Sequence, residues 1–561
     1  MVKVSPWSYV AIGPNDNTFS HRGSFDVLPV MPEHVQPETP SEQSNVADAP
    51  TPREVSTTGM DERDRKHRLA TSTIWSLIGY TLPFPAALIA IPILTHALGA
   101  DRFGVMSLAW ALIGYSSIFD LGLGRALTKV VSERRELDPA TLPALVWSTL
   151  ALLVVFGAVS AVVIMLAAAP LVDAVFNVPP QLRAEATRSF QIMALSLPFI
   201  TVSAGMRGLL EAHQDFRTVG FMNSFTWSLM FLAPLLALPF SHSVIAAMVA
   251  LVLARIGACI LYGWLCFRRM PTLRLTGLPG LASAAPALRF GGWLTVSNIV
   301  GPFLTYFDRF VIGTLLTVSA VTFYTVPYDM VLRLTVVGSA VTSVLFPTFS
   351  ALFARDRAAI APAYLWGLRT VALIAAPLAL GVLLLAPEGL LLWLGPTFAS
   401  QSAPLLRWLT VGVFISCLVQ VPFALIQASG RPDLTAKLHL LELVPYLALL
   451  WLLVGKAGIT GAALAWTSRV TLDAVLILLV GRWVFPEGKA ASVGIGAAMG
   501  IAWVAGVVFQ APFPLSARLV FLVGFGLIYT LVVWRYGLTD DEKLRLLSFP
   551  STLRSRVSQL S

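Results

Sequence analysis

The sequence predicts an all-α polytopic membrane protein with about 14 transmembrane helices. Hydrophobic residues make up 56% of the 561-residue chain and charged residues only 12%, whereas an ordinary soluble domain carries about 25% charged residues. From Leu69 onward, apolar runs alternate with short polar breaks. Each run has about 20 residues, which is enough to cross a hydrocarbon core of roughly 30 Å as a helix.

Fourteen such runs follow one another along the chain. They lie near 71–97, 104–130, 142–169, 189–210, 219–240, 243–267, 290–316, 318–350, 362–386, 403–428, 434–454, 459–484, 490–510 and 515–536. Because this number is even, the two termini are predicted to lie on the same side of the membrane.

The segments outside the spans differ in composition. Residues 1–68 are rich in Pro, Glu, Ser, Asp and Thr and lack periodic apolar positions, so we predict a disordered cytoplasmic N-terminal tail. This tail has no apolar stretch of the kind found in a secretory signal peptide. The other predicted segments are an N-lobe at 69–268, a cytoplasmic inter-lobe linker at 269–289, a C-lobe at 290–485, two further spans at 486–537, and a cytoplasmic C-terminal tail at 538–561.

The two lobes are predicted from a weak internal repeat. The stretches "GLLEAHQDFRTVGFMN" (208–223) and "ALIQASGRPDLTAKLH" (424–439) both lead from apolar residues through a polar residue and Ala into a short polar turn. Aligning Ala212 with Ala428 gives an offset of 216 residues. Six spans separate the copies, so both have the same orientation in the membrane. Parallel repeats often flank a transport path, and we expect two parallel six-helix lobes around a central cavity, plus two C-terminal helices.

The distribution of positive charge predicts the orientation. With the N-terminus in the cytoplasm, the loops and tails on that side hold 22 Lys and Arg residues, and those on the opposite side hold 5. This asymmetry follows the positive-inside rule, so both termini are predicted to be cytoplasmic. Because the charges fall in short loops, the net charge of +9 does not indicate nucleic-acid binding.

Charged residues inside the spans are the candidates for function. Asp308 and Arg309 lie within the apolar stretch "TYFDRFVIG" (305–313), where an unpaired charge costs roughly 2.5–3.5 kcal/mol. Adjacent helical residues point about 100° apart. We therefore expect Arg309 to face a cavity, and Asp308 to pair with a cation from another helix or to bind a coupling ion. A purely structural salt bridge between helices is the alternative.

The other candidates are the remaining charges within the spans. The predicted substrate-binding cations are Arg125, Arg255, Arg309, Arg333 and Arg369, and the predicted coupling or structural acids are Asp120, Asp308 and Asp329. Some charges have an opposite charge four residues away, on the same helix face. These local pairs are Arg207 with Glu211, Asp329 with Arg333, and Arg469 with Asp473.

Catalytic motifs are absent from the sequence. It contains no HExxH, GxSxG or P-loop motif and no paired metal-binding carboxylates, and its three cysteines show no CxxC spacing. We therefore predict that the protein is not an enzyme and has no cofactor and no resident metal.

Three stretches resemble a known family. "IPILTHALGADRFGVMSLAWALIGYSSIFDLGLGRALTKVV" (91–131) is similar to the N-terminal region of Wzx-type polysaccharide (O-antigen/exopolysaccharide) flippases, through "LGADRFG" and "DLGLGRAL". "YFDRFVIGTLLTVSAVTFYTVPYDMV" (306–331) resembles the seventh and eighth helices of that family, and "LIQASGRPDLTAK" (425–437) also fits. The resemblance covers roughly residues 69–485. It implies membership of the multidrug/oligosaccharidyl-lipid/polysaccharide exporter superfamily.

The resemblance also implies a function. Such a flippase moves an undecaprenyl-diphosphate-linked oligosaccharide from the cytoplasmic to the periplasmic leaflet of the bacterial inner membrane by alternating access, for O-antigen, capsule or exopolysaccharide synthesis. An arginine-lined cavity suits the diphosphate, because guanidinium groups bind phosphate oxygens in pairs. Membrane lipid and polysaccharide-assembly proteins are the expected partners, and coupling to H⁺ or Na⁺ stays open.

Three alternatives stay open at this point. A cation-coupled drug antiporter of the same superfamily would be expected to have an acidic cavity, whereas here the cations within the spans outnumber the unpaired acids. A lipid II flippase shares the fourteen-helix count. A membrane-embedded polysaccharide polymerase or ligase would be expected to have a large periplasmic loop, whereas the longest outward break is the short stretch "FNVPPQLRAEATR" (176–188).

Overall fold

A computed structural model of the protein describes residues 83–114, 120, 122–137, 139–271, 284–285, 287–288 and 303–532. The predicted tails at 1–68 and 538–561 lie outside the described residues, as does most of the predicted linker at 269–289.

Within the described part of the chain, regular structure is helical and no residue lies in a strand. The helices are α1 (Pro83–Gly114), α2 (Leu123–Leu137), α3 (Leu142–Pro170), α4 (Arg183–Ala194), α5 (Leu197–Ala212), α6 (Phe216–Ala237), α7 (Val244–Arg269), α8 (303–315), α9 (Val318–Leu332), α10 (Val336–Arg355), α11 (Ile360–Leu394), α12 (Pro396–Ala428), α13 (Pro432–Val484), α14 (Lys489–Val508) and α15 (Leu515–Val532). This confirms the predicted all-α class.

The surface of the helices is apolar over large areas. Ten stretches among the described residues are helical, long and apolar enough to cross a membrane. Large side chains such as Leu166, Leu236, Phe240 and Leu392 are between 68% and 92% exposed. Water would penalise such exposure, whereas acyl chains accept it. The fold is therefore that of a polytopic membrane protein.

The long helix α13 is a hairpin of two arms. Gly458 interrupts it with φ 60° and ψ −141°, a backbone conformation that glycine adopts without steric cost. Residue pairs from either side of this position meet across the arms: His439 approaches Asp473, and Glu442 approaches Arg469. The hairpin accounts for two of the predicted spans, 434–454 and 459–484.

The two segments of the predicted repeat fold in the same way. In the first, α5 ends at Ala212 and Gln214 has φ 57°. In the second, α12 ends at Ala428 and Gly430 has φ 82°. The helix ends and the turn residues are thus separated by the same 216 positions that the sequence alignment requires.

Among the described residues there are two large hydrophobic cores and a small third one between α3, α4 and α5. The first large core is shared by α1, α4, parts of α3, α6 and α7, and α8–α14. The other large core contains buried side chains of α2, α3, α5, α6 and α7, with Met270 and Ala287, and no described residue of α8–α15. Helix α7 contributes residues 244–251 to the first core and residues 262–266 to the second. The two large cores therefore lie at opposite ends of α1–α7.

The two halves of the chain meet directly at the end of the shared core. Helix α1 packs on α9 so closely that a Cβ on Gly104 would lie 1.8 Å from the carbonyl oxygen of Val318. The Thr322 hydroxyl donates to the carbonyl of Ala100 at 2.7 Å. Asn177 donates to the carbonyls of Thr314 and Leu316 at 2.7 and 2.9 Å. We call these contacts of Ala100, Gly104, Asn177 and Thr322 the seam.

Candidate functional site

The charges of the "TYFDRFVIG" stretch are held by the next helix. Arg309 on α8 places Nη2 2.6 Å from Asp329 Oδ1 on α9. The Tyr324 hydroxyl donates to Asp308 Oδ2 at 2.6 Å, and the backbone N–H of Arg309 donates to Asp308 Oδ1 at 2.8 Å. Both Asp308 and Arg309 are buried. The short turn between α8 and α9 brings these four side chains together.

Aromatic rings enclose the Arg309 guanidinium. Its central carbon lies 5.1 Å from the ring centre of Tyr306 and 5.8 Å from that of Tyr328, within the range of cation–π attraction. Tyr328 stacks on Tyr324 at 5.6 Å and meets Trp466 edge to face at 5.3 Å. The charge is therefore compensated by one carboxylate and by ring faces, and it is shielded from solvent.

This arrangement differs from the expected one in two respects. The Arg309 side chain is only 4% exposed and bonds to a carboxylate, so it does not project freely into a cavity. Asp308 receives a phenolic hydroxyl and a backbone N–H, and among the described residues it forms no ion pair with another helix. The predicted local pair of Asp329 with Arg333 is likewise replaced, because Asp329 forms its ion pair with Arg309 on the facing helix. Arg333 lies in the turn between α9 and α10, close enough to act electrostatically on Tyr306.

A second group of predicted residues gathers on α2 and α5. Asp120 accepts the backbone N–H of Gly122 at 2.8 Å, and the positive charges of Arg125 and Arg207 both act on it. Arg207 lies 3.6 Å from Glu211 on the same face, as the four-residue spacing predicted. Arg125 is exposed. These charges line the end of α1–α7 that does not share its core with α8–α15.

Arg255 extends this group onto α7. It is half-buried, and its Nε is buried without a hydrogen-bond partner. Among the described residues it forms no ion pair, and Tyr262, two turns along the same helix, is the group that acts on its charge. Tyr262 also interacts with Arg207 and Glu211, so it links Arg255 to the rest of the group. Arg369 lies apart, half-buried on α11.

The α13 hairpin creates a third group. Arg469 Nη1 lies 3.6 Å from Glu442 Oε2, and Asp473 Oδ1 lies 3.6 Å from His439 Nε2. The expected local pairing of Arg469 with Asp473 is thus replaced by contacts between the two arms. A pattern confined to one helix could not reveal this, because the partners are 27 and 34 residues apart.

Two well-formed ionic contacts had no signal in the sequence. Arg518 on α15 binds both carboxylate oxygens of Glu388 on α11, at 2.9 and 2.6 Å. Glu185 on α4 binds Arg102 at 3.1 Å and accepts the backbone N–H of Val244 at 2.7 Å, at the start of α7. Only the three-dimensional arrangement of the helices brings these distant positions together.

The three groups can do different things. The α8–α9 group is buried, and its charged atoms bind one another and the Tyr324 hydroxyl, which suits a role in positioning helices. The group of Arg125, Arg207 and Arg255 lies beside the end where the halves do not share a core, and Arg255 offers a guanidinium without an ionic partner in the described part of the chain. Such a cation can bind an anionic group, since guanidinium pairs with phosphate oxygens.

Comparison with known proteins supplies the context for this geometry. A family described as polysaccharide biosynthesis proteins matches residues 69–353, about half of the chain. The sequence is 29% identical over 415 residues to a putative O-antigen transporter of Shigella flexneri, covering 74% of this chain and 97% of that protein. It is 23% identical over 413 residues to the lipopolysaccharide biosynthesis protein WzxC of Escherichia coli (strain K12), covering 72% of this chain and 77% of that protein.

A solved structure is similar in fold. It is an inward-facing multidrug resistance MATE family transporter of the MOP superfamily, with a TM-score of 0.62 and 16% sequence identity, covering 75% of this chain and 98% of that one.

Proposed function

The chain belongs to the polysaccharide biosynthesis protein family, as a Wzx-type flippase of the multidrug/oligosaccharidyl-lipid/polysaccharide exporter superfamily, and from this we propose that it moves an undecaprenyl-diphosphate-linked oligosaccharide across the bacterial inner membrane. It is a multi-pass inner-membrane protein of polysaccharide transport. One of the two relatives is named a putative O-antigen transporter and the other a lipopolysaccharide biosynthesis protein. The proposal extends this to the lipid-linked substrate and to alternating access.

The observation that carries the proposal is the unequal distribution of the hydrophobic core. The two halves share a core and hydrogen bonds at the seam. At the other end of α1–α7, the core is built without any described residue of α8–α15. In the described part of the chain, the halves therefore share a core at one end and none at the other, an arrangement expected of an alternating-access transporter in one of its two states. A lipid tail could remain in the bilayer while its head group enters between the halves.

We assign the divided end to the cytoplasm. The ends of α2 and α7 face it, and they carry Arg134, Arg135, Arg268 and Arg269. This placement agrees with the positive-inside rule. With this orientation the substrate enters from the leaflet in which lipid-linked sugars are made. Both termini are then cytoplasmic.

We propose fourteen crossings in two parallel six-helix lobes followed by two helices. The α13 hairpin supports counting that helix twice, and the break at Gly99, where φ is 78°, supports counting α1 as parts of two spans. Equivalent packing supports the lobes. A Cβ on Gly124 would approach the carbonyl of Ala204 at 3.1 Å, and a Cβ on Gly338 would approach the side-chain amide of Gln420 at 2.7 Å. The contacted residues 204 and 420 are 216 positions apart, and the two glycines are 214 positions apart.

Within the lobes, the diphosphate is the group most in need of protein contacts, because it cannot cross hydrocarbon as a bare anion. Arg255 and Arg125 are the cations we propose for it, with Arg333 and Arg369 as further candidates. Arg309 already carries a carboxylate partner, so we propose that it positions α8 against α9, while Asp120, Asp308 and Asp329 serve as structural acids.

The test is deletion of the gene in its host, followed by mass spectrometry of the lipid-linked intermediates and analysis of the surface polysaccharide. We expect an undecaprenyl-diphosphate oligosaccharide to accumulate on the cytoplasmic face and the surface polymer to disappear. Wild type should restore export. Arg255→Ala should fail to do so at equal membrane levels, whereas Arg135→Ala, which removes an exposed arginine near the end of α2, should succeed.

Two outcomes would contradict the proposal. Unchanged polysaccharide together with new drug sensitivity would favour an antiporter. Normal export by Arg255→Ala and by Arg125→Ala would show that these two arginines do not bind the substrate.

A further inference from the structure

The hairpin of α13 encloses a group of ionisable side chains that the proposed transport site does not use. Glu442 on the first arm is fully buried, with 0% of its side chain exposed. Arg469 and Asp473 on the second arm are 13% and 17% exposed. His439, one turn before Glu442, is one-third exposed. All four converge at one level of the hairpin.

The charges of this group do not balance. When both carboxyl groups are ionised, Glu442 and Asp473 carry two negative charges against the single positive charge of Arg469. Asp473 acts on Glu442 as a neighbouring negative charge. His439 adds positive charge only when it is protonated. One additional positive charge would make the group neutral.

The lack of hydrogen bonds to these carboxyl groups also indicates an additional proton. Neither carboxylate oxygen of Glu442 has a hydrogen-bond partner among the described residues, and the same holds for Asp473 Oδ1 and Arg469 Nε. The contact of Arg469 with Glu442 is 3.6 Å long, beyond a good charged hydrogen bond of about 2.7–2.9 Å. Buried carboxylates are ordinarily well bonded, whereas a protonated carboxyl group has a smaller need for donors.

A proton fits this group better than a metal ion. Among the described residues, no cluster of three or more His, Cys, Asp or Glu side chains could hold a metal. The guanidinium of Arg469 beside Glu442 would repel a cation in the same space. A proton needs no set of ligands, because it sits on one carboxyl oxygen and can be shared with a neighbouring carboxylate, as in carboxylate dyads.

The surroundings connect the hairpin to the α8–α9 group. Arg469 lies 5.5 Å from the ring of Tyr446, and its charge acts on Tyr328 of α9. Tyr324 interacts with Tyr446 and donates to Asp308. On the remaining side, Phe423 of α12 stacks on His439 at 6.0 Å. The charged groups of α8 and α9 that act on Tyr328 are Arg309, Asp308 and Asp329, which together carry one negative charge when both carboxyl groups are ionised.

We propose that Glu442 and Asp473 form a proton-binding site in which the two carboxyl groups share one exchangeable proton. Its gain or loss changes the charge held between the two arms of α13, and through Tyr328 and Tyr446 it changes the contact of the hairpin with α8 and α9. If the proposed function holds, this site is where a proton gradient would act on transport. The proton-binding site itself can be tested without any substrate.

The test is infrared difference spectroscopy of the purified full-length protein in lipid nanodiscs, titrated from acidic to alkaline pH. Wild type should show the carbonyl band of one protonated carboxylic acid that disappears as the pH rises. Glu442→Gln and Asp473→Asn should each lose that band, because one remaining carboxylate balances Arg469. Glu133→Gln, which alters an exposed glutamate of α2, should leave it unchanged.

Each other outcome has a clear meaning. A band that persists in both single variants would overturn the proton-binding site. A band lost in Glu442→Gln but kept in Asp473→Asn would contradict the shared proton, since Glu442 alone would then carry it. If the band behaves as expected while gene deletion leaves the surface polysaccharide unchanged, the proposed substrate is wrong and the proton-binding site stands.

Discussion

Arg309 and Asp329 lie on consecutive helices joined by a short turn, and Arg309 Nη2 approaches Asp329 Oδ1 to 2.6 Å. The guanidinium is almost fully buried, and Asp308 lies beside it with its own hydroxyl donor. Removing Arg309 therefore leaves two carboxylates facing each other at one site. The resulting loss of folding stability can be measured separately from transport.

We expect Arg309→Ala to lower the stability of the protein by about 3 kcal/mol, the size typical of a broken buried ion pair. Asp329→Asn should have a smaller effect, because the Asp329 side chain is 31% exposed and the amide can still accept a hydrogen bond. The measurement is thermal unfolding in detergent, with membrane levels of both variants as a check. Equal stability of Arg309→Ala and wild type would contradict the structural role.

Tyr324→Phe removes one hydroxyl and nothing else. Asp308 Oδ2 would lose its 2.6 Å donor in a fully buried position, which costs about 1–3 kcal/mol. The unfolding midpoint should fall accordingly. Tyr364→Phe alters another buried tyrosine, which packs against Phe485, and as the matched control it should change the midpoint less.

The contact of Arg518 with Glu388 should be cooperative. Arg518→Ala leaves Glu388 without its two donors, and we expect a loss of about 3 kcal/mol. The double variant Arg518→Ala/Glu388→Ala should lose less than the sum of the single variants, with a coupling energy of about 1–3 kcal/mol. Additive losses in unfolding experiments would mean that the contact does not hold α15 to α11.

Asn177 tests the seam. Asn177→Asp keeps the shape but replaces the amide donor with an acceptor, which faces the carbonyls of Thr314 and Leu316. In Asn177→Asp, the carboxylate repels these carbonyl oxygens, so we expect the two halves to separate at the seam more often than in wild type. Asn177→Ala removes the donor without adding repulsion and should have a smaller effect. The readout is the distance between spin labels on Phe240 and Leu392, which are 89% and 92% exposed, in a background without the three native cysteines. An unchanged distance distribution in Asn177→Asp would contradict a role for this contact in closure.

Gly104→Ala tests the seam sterically. A methyl group 1.8 Å from the carbonyl oxygen of Val318 cannot be accommodated without moving α1 away from α9. The spin-label distances should shift in the same direction as in Asn177→Asp. Gly257→Ala on α7, where a Cβ would meet nothing within 4 Å, should leave them unchanged.

Helices and their breaks could be predicted from sequence because hydrophobicity and turn residues are local properties. The predicted turn "LGADRFG" contains the break at Gly99, and the boundary between 434–454 and 459–484 contains Gly458. Both follow from apolar runs interrupted by glycine. The orientation of the chain in the membrane stays a prediction from Lys and Arg placement.

Pairing between helices could not be predicted in the same way. The four-residue rule found the contact of Arg207 with Glu211, since both residues lie on one helix face. It assigned Asp329 to Arg333 and Asp473 to Arg469, and both assignments were wrong, because a facing helix supplied a nearer partner. The same rule finds no partner for Arg518 in the predicted span 515–536, whereas Arg518 binds Glu388, 130 residues away. Such partners depend on helix packing, which a single sequence does not encode locally.

The turn at Gln214 has a consequence for the origin of the fold. Glutamine at φ 57° adopts a left-handed conformation that costs an ordinary residue roughly 1–2 kcal/mol, whereas glycine stands at the matching position, Gly430. The backbone shape has thus been kept at both places while the residue differs. Under the proposed two-lobe arrangement, a duplicated six-helix ancestor would leave this trace once its copies diverged: the geometry is inherited, even where the present side chain opposes it.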